Sequence, residues 1–205
     1  MRFPSVAVPA SALARSLRRF WRDESGNAVI ESVFMLPLVI WVSLFMINFW
    51  SGYQTKNKLQ KASYTVSDIL SRWQGAPLTP TDANGLQTLM TYLIDERDQT
   101  PAVRISSIIW VAARNRYEVQ WSCALDPNFM PQLTTASLQT HASRLPMGAD
   151  GSTQILVETS FSYSIFRKMI EQEFGTSVTS MTFDQFIPVR PRFSAVTFNN
   201  PNGCN

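Results

Sequence analysis

Histidine and cysteine are almost missing from this chain, with one His and two Cys among 205 residues. Neither a Cys-x-x-Cys nor a His-rich spacing occurs, so no zinc-type metal site is expected. A glycine-rich phosphate loop and a spaced nucleophile–base pair are also lacking, so the residues give an enzyme reading no chemical support. No catalytic residue, cofactor or small-molecule substrate is therefore expected. His141 stands without a matched Ser, Cys or second His and reads as a surface or structural residue. Asp95-Glu96-Arg97-Asp98, with no positioned partner nearby, reads as a solvated helix end.

Basic charge is scarce where a nucleic-acid binder would need it. The net charge is +3, and all of it lies before Gly26, where Arg2, Arg15, Arg18, Arg19 and Arg22 face only Asp23 and Glu24. The remainder is balanced, so the folded part has no basic stripe and no nucleic-acid partner is expected.

What the chain does have is one long apolar run, from Ala28 to Trp50, about 23 residues. At roughly 1.5 Å per residue it spans a hydrocarbon core of about 30 Å. Its one ionisable residue, Glu31, would cost a few kcal/mol in lipid unless neutralised or paired. Pro37 would break a helix in water, but a membrane helix accommodates it as a kink. The run is too long for a cleaved secretory signal, and Phe49-Trp50-Ser51-Gly52-Tyr53 puts bulky residues where a small-x-small site is needed. Arg15, Arg18, Arg19 and Arg22 precede the run and Lys56, Lys58 and Lys61 follow it. A long C-terminal domain translocates largely regardless of charge, so the expected orientation is N-terminus inside. The expected organisation is a basic leader over 1–26, a membrane helix over 27–50, a helical stalk over 51–76 and an α+β domain over 77–205.

The two cysteines, Cys123 and Cys204, suit a domain in an oxidising compartment. Bridged, they would close a loop of about 80 residues, stabilising by about 4.5 kcal/mol on the chain-entropy model. The other reading is two unpaired thiols, one of them a core residue.

Arg22-Asp23-Glu24-Ser25-Gly26, then Asn27-Ala28-Val29-Ile30-Glu31, then an apolar helix carrying Met35-Leu36-Pro37-Leu38, resembles the N-terminus of the TadE/TadF-like minor pseudopilins of tight-adherence (Flp-type) pilus systems. The resemblance implies cleavage after Gly26 by a membrane-embedded aspartyl prepilin peptidase on the cytoplasmic side. Asn27 would become the new N-terminus and Glu31 the fifth mature residue. Ser32 follows Glu31 where family members often carry an aromatic, a departure that sets the chain further from the major pilin than from the minor ones. A glycine, lacking Cβ, would offer the peptidase an uncluttered extended backbone. Glu31 would pair with the α-amino group freed at Asn27, its own or a neighbouring subunit's. Left unprocessed, Glu31 would snorkel to the headgroups.

Beyond the run, Leu59, Ala62, Val66, Ile69, Leu70 and Trp73 recur at helical spacing over 53–74. Gly75 to Pro80 reads as a loop, and a second helix is expected over Asp82–Ile94, capped by Thr81 or Asp82. Val103–Val111 and Tyr117–Ala124 read as a β-hairpin, with Tyr117, Val119, Trp121 and Cys123 on one face. A short helix is expected around Thr134–Arg144, a strand over Thr153–Phe166, a short helix over Arg167–Phe174 and a last strand over Phe183–Phe198. Pro188 and Pro191 put that strand at an edge or a bulge. The fold class is α+β: a transmembrane helix extended as a stalk, then a mainly antiparallel sheet of about four strands with one or two packed helices, a pilin-like layout. Phe186 to Phe193 is similar to the C-terminal strand of many family members.

The function implied by the resemblance is a non-enzymatic pilus-assembly component. Its partners would be a prepilin peptidase, other minor pseudopilins, assembly-platform proteins and inner-membrane lipid, with the C-terminal domain in the periplasm. The competing expectation is an unprocessed, single-pass periplasmic binding or scaffold protein.

Overall fold

The computed structural model describes residues 25–95, 99–164, 180–200 and 204. Leader residues 1–24, Glu96 to Asp98 and the helix expected over Arg167–Phe174 lie outside them, while Ser25 and Gly26 of the expected leader lie in the helix. The chain divides into two compact units between Phe49 and Trp50. Helix α1, Ser25–Ser71, carries residues of both.

From Trp50 onward the fold is one domain. It comprises the end of α1, helix α2 (Pro80–Ile94), strands β1 (Ala102–Val111) and β2 (Arg116–Ala124), the one-turn helix α3 (Thr135–Gln139), and strands β3 (Thr153–Ser164) and β4 (Ser180–Val189). The four strands form an antiparallel sheet in the order β2-β1-β3-β4.

The α1 stripe packs as its spacing requires: Leu59, Ala62, Val66 and Leu70 are buried and Ile69 and Trp73 partly so. Residues 51–76, expected as a stalk, therefore contribute directly to the domain core. With Leu86, Met90 and Ile94 of α2 they cover Val103, Ile105, Cys123, Ile155, Val157 and Phe161 on one face of the sheet. Between the apolar residues of α1, Ser63, Ser67 and Ser71 are also buried. Ser63 and Ser67 satisfy their hydroxyls on the carbonyls one turn back, so the helix approaches the sheet closely without an orphaned polar group. The cap of α2 is Thr79, not Thr81 or Asp82. Its hydroxyl accepts from the Asp82 N–H, and the Asp82 carboxylate returns the bond to the Thr79 N–H, with Pro80 opening the helix.

The opposite face of the sheet is covered as well. Ile108, Tyr117 and Leu156 meet Leu133, Leu138 and Leu145 from α3 and its flanking loops. The segment Thr134–Arg144 is two short pieces rather than one helix, α3 and a 3-10 turn over Ala142–Arg144. Thr135 and Gln139 of α3 bond the β2 backbone at Val119 N–H and Tyr117 O, closing that edge of the sheet.

Two strand expectations are corrected. Tyr117, Val119, Trp121 and Cys123 do not share a face, because the register slips where Ser107 pairs with Trp121 and Ile108 with Val119. One extra residue at a bulge moves everything beyond it to the other side. Tyr117 and Val119 thus join the outer core, while Trp121 and Cys123 join the core under the helices. The last strand ends at Val189 rather than Phe198. Its partner β3 begins at Thr153, and the last register pair is Ile155 with Val189. Pro188 is accommodated because β4 is an edge strand.

Candidate functional site

The first half of α1 presents apolar side chains in every direction. Val29, Val33, Phe34, Leu38, Trp41, Phe45 and Phe49 are all more than half exposed, and Trp41 is 73% exposed. Full burial of each such side chain is worth about 1.5–3 kcal/mol, so this surface is built for an apolar environment rather than for water. Among the described residues it is the one helix long and apolar enough to cross a membrane.

Ser25 begins α1, so the Gly26–Asn27 bond lies in its first turn. First turns lack four intrahelical acceptors for their N–H groups and fray readily, so this bond lies where the helix opens most easily. Glu31 is exposed, and its side chain forms no hydrogen bond or ion pair with the described residues. Pro37 sits inside the helix. Further along, Ser43 and Asn48 each donate one side-chain bond to the carbonyls of Val39 and Leu44, which satisfies the serine donor and one of the amide's inside an apolar stretch. Gly26, Asn27, Glu31 and Pro37 are thus brought onto one helix, Asn27 and Glu31 one turn apart.

Cys123 and Cys204 are joined in a disulfide, their Cα atoms 4.8 Å apart across 81 residues. The bond is the last tie of a C-terminal strap that the sequence reading took for strand. Arg192 N–H donates to the Ser71 carbonyl, and Arg192 pairs with Asp68 at 3.1 Å. Leu78 exchanges backbone bonds with Thr197 and Asn199. Trp121 Nε1 donates to the Val196 carbonyl at 2.9 Å, with its ring 5.0 Å from that of Phe198. The strap clamps the end of α1, the loop before α2 and strand β2 together. The Cys123–Cys204 bridge was one of the two readings the sequence offered; the partners of Trp121, Ser71 and Leu78 on the strap were not visible in it.

On the other face of the sheet lies a cleft of about 360 Å³ lined by His141, Arg144, Glu158, Ser160 and Asp184, among others. Glu158 is held by Arg104 in a two-bonded pair at 2.7 and 2.8 Å, and Arg104 also donates to the Pro131 carbonyl. Ser160 donates to Asp184 at 2.6 Å. His141 and Arg144 both rest on the Phe186 ring. These contacts tie the 126–133 loop and the 3-10 turn to the sheet. Among the described residues no group of His, Cys, Asp and Glu is arranged to hold a metal. Near this face Tyr117 donates to the Pro146 carbonyl, and burial pushes its phenol above the ordinary range.

No family model, no curated protein and no solved structure matches this chain.

Proposed function

We propose that this chain is a minor pseudopilin of the TadE/TadF-like kind, a non-enzymatic component of tight-adherence pilus biogenesis cut by a prepilin peptidase after Gly26. The observation that carries the reading is the pairing of Gly26 with Glu31 at the mouth of a helix apolar on all sides. A carboxylate with no partner among the described residues needs a cation in such a helix, and cleavage would supply an α-amino group one helical turn away.

In this reading α1 holds the domain in the bacterial inner membrane, with the leader cytoplasmic and the domain from Trp50 periplasmic. The Cys123–Cys204 bond supports that side, since structural disulfides persist in oxidising compartments. The domain then serves as a surface for other minor pseudopilins and assembly-platform proteins, and α1 for lipid or for the apolar helices of a bundle.

Co-expression with a matching prepilin peptidase is expected to yield a mature chain beginning at Asn27, seen by intact mass, and Gly26→Val to block the cut. Retention of the full leader beside an active peptidase would leave an unprocessed membrane-anchored scaffold as the better account.

A further inference from the structure

We propose that the end of the domain where α1 enters carries a collar that seats it on the surface of the bilayer, with Met181 of β4 inserted among the lipids. The apolar run of α1 ends at Trp50 and Tyr53, which are 63% and 54% exposed. Tryptophan and tyrosine at the end of a spanning segment settle at headgroup level, the rings in the apolar margin and their polar tips in water.

Strands β3 and β4 bring a second set of side chains to the same height. A Cβ on Gly52 would lie 3.3 Å from Tyr163 Cε1, so the Tyr163 ring lies directly on the turn of α1 between Trp50 and Tyr53. Tyr163 stacks on Phe183, with ring centroids 6.2 Å apart. Met181 is the cross-strand partner of Tyr163 and is 50% exposed. Side chains directly opposite in an antiparallel pair share a face. Met181 therefore lies beside Tyr163, one strand further from α1, at the level of the aromatic pair. At that height a half-exposed methionine offers an unbranched apolar side chain to the acyl-chain margin.

Charge continues the pattern. Lys56 and Lys58 stand about 9–12 Å beyond Trp50 along the helix at 1.5 Å per residue, a height from which long side chains reach phosphates. Neither has an acidic partner among the described residues, and α1 carries no carboxylate between Glu31 and Asp68. The occupant is thus a phospholipid surface: apolar margin against Met181 and the rings, anionic headgroup phosphates against the lysines. The inference rests on α1 spanning the membrane.

The full chain in phospholipid nanodiscs, carrying a benzophenone amino acid at one position at a time, tests it by lipid adducts on the intact mass. Position 45 reports the spanning helix, 53 and 181 report the collar, and 92, on exposed Tyr92 of α2, is the control. Adducts at 45, 53 and 181 with none at 92 are expected, and Lys56→Gln/Lys58→Gln should lower the yield at 181 while leaving that at 45 unchanged. Adducts at 45 without any at 181 would overturn the collar and leave the span intact. Absence of adducts at 45 would overturn the span, and the collar with it.

Discussion

The hydroxyls of Ser63 and Thr159 lie 2.9 Å apart, a bond made between α1 and the interior of β3 inside the main core. Ser63 also lies 2.7 Å from the Leu59 carbonyl, to which it donates, so Thr159 is the donor to Ser63. Ser63→Ala strands the Thr159 hydroxyl in a fully buried site, and a lost buried partner costs about 1–3 kcal/mol. Thr159→Val added to Ser63→Ala should recover part of that loss. Urea unfolding of both variants in detergent checks it; a double variant as unstable as the summed singles would show that the two hydroxyls are not coupled.

The disulfide makes the strap part of the domain rather than a tail. Cys204→Ser is expected to destabilise the domain by about 2–5 kcal/mol, and to do so without disturbing the membrane helix. Thiol labelling of the unreduced native protein should be negligible and should rise once reductant is added. Equal labelling in both conditions would show that Cys123 and Cys204 are not bridged.

Arg104 and Glu158 are both nearly buried, with 11% and 8% of their side chains exposed. A buried pair contributes little against an apolar replacement, but removing one partner leaves an uncompensated charge at about 3–5 kcal/mol. Arg104→Met should therefore cost more than Arg104→Met/Glu158→Leu, which removes both charges. Chemical denaturation of the two variants gives the comparison. The reverse order would mean that the pair is solvated in a way its exposure does not show.

Helices α1 and α2, the hairpin and the strand over β3 were legible because periodicity alone carries them. Leu59, Val66 and Leu70 mark a helix face whatever covers it. The position of Cys123 relative to Tyr117 was not legible, because a single bulge between two otherwise alternating segments leaves the local pattern unchanged and alters only the count. The strap was hidden for a related reason. Residues 190–198 carry Pro191, Phe193, Val196 and Phe198, side chains an edge strand also carries. Their partners, Ser71, Leu78 and Trp121, are distant in sequence and come together only once the sheet exists. For the candidate site, the apolar run and the Gly26–Glu31 spacing needed no tertiary information. The cleft around Glu158 and Asp184 needed the register of β3 against β4.

The α2 cap makes stability depend on acid. The Thr79 hydroxyl donates to Asp82 at 2.6 Å and the Thr79 backbone N–H at 3.0 Å; together they hold the Asp82 carboxyl below its ordinary range. A carboxyl with a depressed folded pKa contributes stability that is complete above its unfolded pKa, about 3.9, and is lost as pH falls through the folded value. Asp82→Asn should therefore be less stable than the parent near neutrality, and the gap should close on acidification. Thermal melts from about pH 6 to about pH 2 report it. A gap that stays constant with pH would remove the ionised carboxylate from the cap.

Glu31→Gln separates insertion from assembly. A carboxylate costs more in the apolar phase than an amide does, about 2.5–3.5 kcal/mol for a charged residue at a helix centre and less near the edge. The variant should therefore enter the membrane at least as readily as the parent. Gly26 and Asn27 are unchanged, so cleavage should persist, with the mature mass shifted only by the substitution. What the amide cannot do is form an ion pair with the α-amino group at Asn27, one turn away on the same face of α1. Co-isolation with partner minor pseudopilins and pilus yield should fall while insertion and processing hold. Normal pili from a fully processed Glu31→Gln chain would show that the carboxylate is tolerated in the helix rather than used by it.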